Sequence, residues 1–313
     1  MTESVSLSNA AALEIRDPSW TPRPWRAAAL SFFMPGLGQL YNGRASRALA
    51  SVIVMQLWLV ANIAATLVAP GRVLRVGLLT FGILAPLILL PWDAWRTARA
   101  MRAAKRRWFQ RWYVLLPMLA LWALAIQPQF FDLVRQRLAE AYRIPSGGMA
   151  PTLLTGDYLL VSKWDDGVAR RGEVIVFNDE TGRNYVQRVV GIPADTLAMR
   201  AHTLLVNGRA APEPYARNDT TVDPAAREFD WQRAFLAASE DSSRYRPTSG
   251  NWGPLVIPRG HYFLLGDNRG SSYDSRYRGF VRAEEIRGRA RWVYYSRAGG
   301  GAIQWSRIGV GIR

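Results

Sequence analysis

The chain has 313 residues, room for about two domains, and carries 40 Lys+Arg against 24 Asp+Glu for a formal charge of +16. It has no Cys, which excludes disulfides and thiol chemistry, and only His202 and His261, which excludes a His-rich metal site; no metal or cofactor is expected. A basic chain reads nucleic acid only with a basic stripe and a reading element; neither is present, and the positive charge instead flanks long apolar runs, where it faces anionic lipid and sets topology.

Residues 1–26 are polar, with Pro18, Pro22 and Pro24, and read as a flexible or surface-lying start. No cleavable signal peptide is expected, because the first apolar run begins near Ala27 behind Pro-rich and charged residues. That run ends near Tyr41 and is interrupted by Pro35-Gly36-Leu37-Gly38. At about 15 residues it is shorter than the roughly 20 a straight span needs. The string Pro35-Gly-Leu-Gly-Gln-Leu-Tyr-Asn-Gly-Arg44 resembles the motif of small bacterial two-helix membrane modules, and is read first as tight helix packing through small residues. Leu49–Ala69 predicts one membrane span and Val76–Pro91 a second. Between Asp93 and Trp112 lie Arg96, Arg99, Arg102, Lys105, Arg106, Arg107 and Arg111, edged by Trp95, Trp108 and Trp112. The positive-inside rule makes this loop cytoplasmic. Tyr113–Gln127 then spans outward, with its boundary at Gln127-Pro128. Three spans are expected, with the Ala27 run as a fourth if it crosses. Membrane lipids are therefore expected partners.

From residue 129 the pattern shifts to a mostly β domain. Phe131–Tyr142 reads as a short amphipathic helix or linker. Strands are expected around Asp157–Lys163, Val174–Phe177, Tyr185–Gly191, His261–Leu265 and Arg289–Tyr295. Thr203–Val206 runs into Asn207-Gly208, a strong hairpin signal. Arg217–Gly253 is polar and turn-rich, an excursion on the β scaffold.

Asp157, Asp267 and Asp274 all sit in turn contexts, where Asp usually bonds the backbone. His261 lies in an apolar strand without a nucleophile elbow, so it reads as structural. What remains is an ordered set of four segments. The first is Pro145-Ser-Gly-Gly-Met149 with Pro151-Thr-Leu153, and the second Gly156-Asp-Tyr-Leu-Leu-Val-Ser-Lys163. Then come Val186-Gln-Arg-Val-Val-Gly-Ile-Pro193 with Asp195, and Gly266-Asp-Asn-Arg-Gly-Ser-Ser-Tyr-Asp-Ser-Arg276 with Gly279. Together with the closing Ser306-Arg-Ile-Gly309, they resemble the type I signal peptidases (leader peptidases), membrane-anchored serine proteases that use a Ser-Lys dyad. The resemblance covers roughly Tyr142 to Arg313, and the multi-span N-terminal part is more elaborate than that family's usual anchor.

By this resemblance Gly148 stands at the place of the nucleophilic Ser, and Gln187 at that of the general-base Lys. Cleavage needs a hydroxyl to attack and an amine, neutral through burial, to accept its proton. Gly148 offers no side chain, and Gln187 an amide that is no base near neutral pH. The resemblance assigns Ser146, with the N–H at Gly148 and the adjoining Met149, to the oxyanion or peptide-binding part. Asp274 and Arg276 match a supporting ion pair, Ser272 a hydroxyl near the Lys place, and Asp267, Asn268 and Arg269 the turn before it. Gly270 departs from the family, where Asp is common.

The expectation is a membrane-anchored signal-peptidase-like protein, proteolytically inactive, whose β domain binds extended peptides or signal peptides of exported proteins by edge-strand pairing. It would sit in a bacterial inner membrane with the C-terminal domain periplasmic. Two alternatives stand beside it. One is an active signal peptidase with displaced residues, using Ser146 or Ser162 with Lys163. The other is a membrane scaffold acting through its N-terminal part.

Overall fold

The computed structural model describes residues 20–103, 106–163, 168–218, 227–238 and 241–312. Residues 1–19 of the polar start, Lys105 of the basic loop, residues 219–226 and 239–240 of the excursion, and Arg313 lie outside them. The chain divides into two compact units, Met1–Asn62 with Leu78–Asp132, and Ile63–Gly77 with Leu133–Arg313.

The first unit is helical. Helix α1 (Pro24–Phe33) opens on a proline at its first position, where the missing N–H is no loss. The chain then turns at Gly36 (φ +83°), where a Cβ would lie 2.2 Å from Ala48 O, so only glycine fits. Helix α2 (Leu37–Tyr41) follows and is wholly buried. The Ala27–Tyr41 run is therefore a bent pair of short helices, of 10 and 5 residues. Gln39 and Asn42 reach helix α4 (Arg72–Arg99), with Gln39 Nε2 donating to the Asp93 carboxylate and Asn42 Nδ2 to Ala94 O at 2.9 Å. Among the described residues, three helices are long and apolar enough to cross a membrane: α3 (Ala45–Val68), α4, and the run Trp112–Arg137.

Two expected helix ends are corrected. Helix α4 does not stop at Pro91 but continues through Pro86 and Pro91 to Arg99, so the first cations of the basic segment are helical. The run from Trp112 does not stop at Gln127-Pro128. It comprises α5 (Trp112–Leu121), a π turn (Trp122–Ile126) and α6 (Gln127–Arg137). The Gln127 N–H bonds Trp122 O, so the ladder is already displaced where the proline donor is missing.

The second unit is mostly β. A seven-stranded antiparallel sheet has the order β1-β2-β11-β3-β4-β9-β10, and a four-stranded sheet the order β7-β6-β5-β8. The first contains β1 (Ala139–Arg143), β2 (Asp157–Ser162), β3 (Val174–Asn178), β4 (Asn184–Gly191), β9 (His261–Leu265), β10 (Val281–Arg282) and β11 (Ile286–Ser296). The second contains β5 (Thr196–Arg200), β6 (Thr203–Val206), β7 (Arg209–Ala210) and β8 (Trp252–Val256). Asn207 and Gly208 both take positive φ, 52° and 78°, in the turn between β6 and β7, as a type I′ hairpin requires. Of the short helix or linker expected at Phe131–Tyr142, the first half is helix, the end of α6, and the second half is edge strand β1. The excursion is also less loose than its composition suggests: Arg227–Phe235 forms a 3-10 helix that sinks Phe229 and Gln232 to full burial.

At the turn between α3 and α4, Arg72 donates to Trp305 O and Arg75 Nη1 to Gly309 O at 3.2 Å. The C-terminal segment is thereby held on this turn within the second unit.

Candidate functional site

The turn from β1 to β2 hangs from the core by three apolar side chains. Ile144, Met149 and Leu153 are buried, while Pro145, Ser146 and Gly147 remain exposed. Backbone bonds from Ile144 N to Asp157 O (2.8 Å) and from Gly156 N to Ile144 O (2.9 Å) close its base. A second turn, after β9, lies against it. Asn268 N donates to Gly148 O at 3.1 Å, and Asn268 Nδ2 to Gly147 O at 3.2 Å. Gly266 sits where these chains meet: a Cβ there would lie 2.1 Å from Ser272 Oγ and 2.5 Å from Gly148 O.

Between the two turns and β4 is a cleft of about 290 Å³ lined by Tyr142 to Ser146, Gly148, Met149, Asn184 to Gln187 and Ser271 to Tyr273. It brings together Ser146, Gly148, Met149, Gln187 and Ser272. Asp267, Asn268, Arg269, Asp274 and Arg276 do not line it and stand behind its wall. At Gly148 there is space for a side chain. A Cβ would meet Ser271 O at 3.5 Å and Ser272 Cα and Cβ at 3.8 Å, ordinary contacts, and φ is not in the left-handed region. Gln187 lies opposite Ile175 on β3 and is 4 % exposed. Its Nε2 donates to Tyr273 O at 2.9 Å, whereas its Oε1 is buried without a partner.

Behind the wall, charge is paired. Arg188 and Asp267 form a bidentate pair at 2.8 and 2.6 Å, each side chain about 1 % exposed. Thr152 Oγ1 donates to the same carboxylate at 2.5 Å, and the guanidinium lies 3.9 Å over the Tyr215 ring. Asp274 accepts from Arg276 at 2.8 and 2.9 Å and from Gly266 N at 3.1 Å. Arg276 Nη2 donates to Arg269 O at 2.6 Å, and Arg269 pairs with Glu213 at 3.0 and 2.5 Å. Removing one member of such a buried pair typically costs about 3–5 kcal/mol, because it strands the other charge. The turn after β9 is therefore held rigidly against β4.

The cleft offers hydroxyls but no base: neither Lys nor His lines it, among the described residues. Lys163 pairs with Glu140 at 2.7 Å and borders a separate cavity of about 120 Å³ with Ser162, Val168 and Arg289. Burial opposes ionisation of Glu140, yet hydrogen bonds from Lys163 and Tyr142 hold its carboxyl below the usual range. Burial, with Glu140 beside it, pushes the Tyr142 hydroxyl up. His261 begins β9, its Nδ1 2.9 Å from Arg259 O, and is not part of the cleft.

Sequence reasoning missed Arg188, Glu213, Tyr215 and the pair of Arg307 with Asp157 (2.5 Å). Arg188 alone left a signal, a charge directly before the apolar Val189-Val190 of its strand, which calls for a counter-ion if buried.

Comparison with known proteins agrees with this architecture. The family model for signal peptidase, peptidase S26, matches residues 111–295. Signal peptidase I T of Bacillus subtilis is 32% identical over 52% of this chain and 77% of its own length. Signal peptidase I of Bacillus caldolyticus is 36% identical over 49% of this chain and 78% of its own, and that of Pseudomonas fluorescens 33% identical over 52% and 67%. A solved signal peptidase I from Enterococcus faecalis V583 is 28% identical and covers 39% of this chain and 96% of that one, at a TM-score of 0.27, too loose a superposition to argue from. With its β-rich second unit and a family match spanning more than half its length, the chain belongs to the signal peptidase family, peptidase S26.

Proposed function

We propose that this protein is a multi-pass relative of signal peptidase I that holds an extended peptide in the cleft and does not cut it. Gly148 and Gln187 stand where the family's motif carries its nucleophilic Ser and general-base Lys. The observation that carries the reading is the make-up of that cleft, which pairs a side-chain-free Gly148 with a buried amide at Gln187. Peptide hydrolysis by this family's route needs an attacking hydroxyl and a neutral amine, and neither position supplies one. Binding does not depend on either group. The alternative of a displaced Ser-Lys pair is weakened by Lys163, which is committed to Glu140 and borders another cavity.

The membrane placement follows from charge and from the α3–α4 turn. The cations from Arg96 to Arg111 favour the cytoplasmic side. The turn between α3 and α4 carries the C-terminal segment of the β unit, which favours the opposite side for both. The β domain would then be extracytoplasmic, facing exported chains.

The test is preprotein processing by the full-length protein in detergent. The native chain is expected to leave a preprotein intact. The double variant Gly148→Ser with Gln187→Lys is expected to begin processing it, because the Gly148 backbone already accommodates a Cβ. Cleavage by the native protein that vanishes in Ser146→Ala would overturn the proposal.

A further inference from the structure

Among the described residues that line the cleft, Gln187 is the one whose side chain is almost wholly buried and still has a polar atom without a partner. Its orientation is decided by Tyr273: Nε2 donates to that carbonyl at 2.9 Å, and a turned amide would set two acceptors face to face. Oε1 is thus an acceptor in search of a donor. A buried amide oxygen left bare is unfavourable, and a ligand donor relieves that cost.

The rest of the cleft restricts which donor. Ile144, Met149 and Val186 supply apolar surface, and Ser146 and Ser272 supply hydroxyls. The only cation that lines it, among the described residues, is Arg143, whose guanidinium lies 6.0 Å over the Tyr158 ring. The wall at Gly148 and Gln187 is neutral.

We propose that Gln187 Oε1 accepts an N–H from the backbone of the bound peptide, so that the cleft selects an uninterrupted chain over one ending there in a free carboxylate. A peptide amide brings the missing donor. A carboxylate brings only acceptors, loses its water, and meets the negative end of the Gln187 dipole. The inference rests on the peptide-holding reading above and gives it a ligand class.

The experiment compares two fluorescent peptides of the same small apolar sequence, one ending in a carboxylate and the other in an N-methyl amide. Binding is measured at neutral pH to the full-length protein in lipid nanodiscs. The native protein is expected to bind the amide form about tenfold more tightly, the scale of one buried hydrogen bond. Substitution at Gln187 shows whether this preference comes from its side-chain oxygen. Gln187→Met, neutral and without an acceptor, is expected to level it. Equal binding of the two peptides by the native protein, or a preference untouched by Gln187→Met, overturns this inference alone. If the folded native protein binds neither peptide, the peptide-holding reading falls with it. The native comparison needs no variant, so a misfolded substitution does not blunt the test.

Discussion

Arg188 shows how a single residue ties the core to the site. It is fully buried in β4, next to Gln187, and its guanidinium is satisfied by Asp267, Gly172 O at 2.7 Å and the face of Tyr215. The neighbouring phenol responds to this setting. Burial, with Glu213 nearby, pushes the Tyr215 hydroxyl up to about 12, despite opposing Arg188 and Arg269. A folded-state value above the unfolded one of 10.0 stabilises the fold fully below that pH, and the contribution is lost as pH rises through about 12. Tyr215→Phe is therefore expected to flatten the fall in stability across that window, read by denaturant unfolding at stepped alkaline pH. Of this residue-scale picture the sequence displayed one side. Gly148 and Gln187 were singled out from segments in the order of a family motif, and both line the cleft. Glu213 and Tyr215 were not, because Glu213 meets Arg269 across 56 positions of chain and Tyr215 packs on Arg188 of a strand well before it, separations no local pattern encodes.

At the scale of elements, the site is a joint of three segments: the β1–β2 turn, strand β4 and the turn after β9. Gly266 is its pivot, since a side chain there would strike both Ser272 Oγ and the Gly148 carbonyl. Gly266→Ala is expected to lower stability by about 1–3 kcal/mol, the usual cost of overpacking, and to weaken peptide binding in parallel. Thermal unfolding and the fluorescent-peptide titration check the two effects. Adding Ser272→Gly should restore only part, because the backbone contact at 2.5 Å remains. Elements made of short runs rich in β-branched and aromatic residues, such as β3 and β4, were readable in advance. Those that escaped carry misleading punctuation. Pro128 looked like a helix end, but the π turn before it absorbs the missing donor. Trp252 and Gly253 fell at the end of the expected excursion, yet they open β8, where Trp252 and Leu255 belong to the core. Edge strand β1 was hidden by the helix that runs almost directly into it.

At the scale of the whole molecule, the proposed topology makes a clean prediction, because the chain has no Cys. Single-cysteine variants at exposed positions therefore report without background. Pro70→Cys, between α3 and α4, and Gly299→Cys, in the loop after β11, are expected to react with a membrane-impermeant maleimide from outside. Arg102→Cys is expected to react only after permeabilisation. Labelling of Arg102→Cys in intact cells would invert the orientation.

The open space at Gly148 has a kinetic consequence for this reading. In a working protease a seated chain has two exits, dissociation and scission, and discrimination is set by the competition between them. A seat with no side chain at Gly148 and no base to activate its other hydroxyls leaves dissociation as the sole exit. Occupancy then obeys abundance and residence time, and the last bound chain departs chemically unchanged. Such a cleft samples the pool of exported chains reversibly, as a receptor does, and the room still present for a Cβ means that a few nucleotide changes separate that behaviour from turnover.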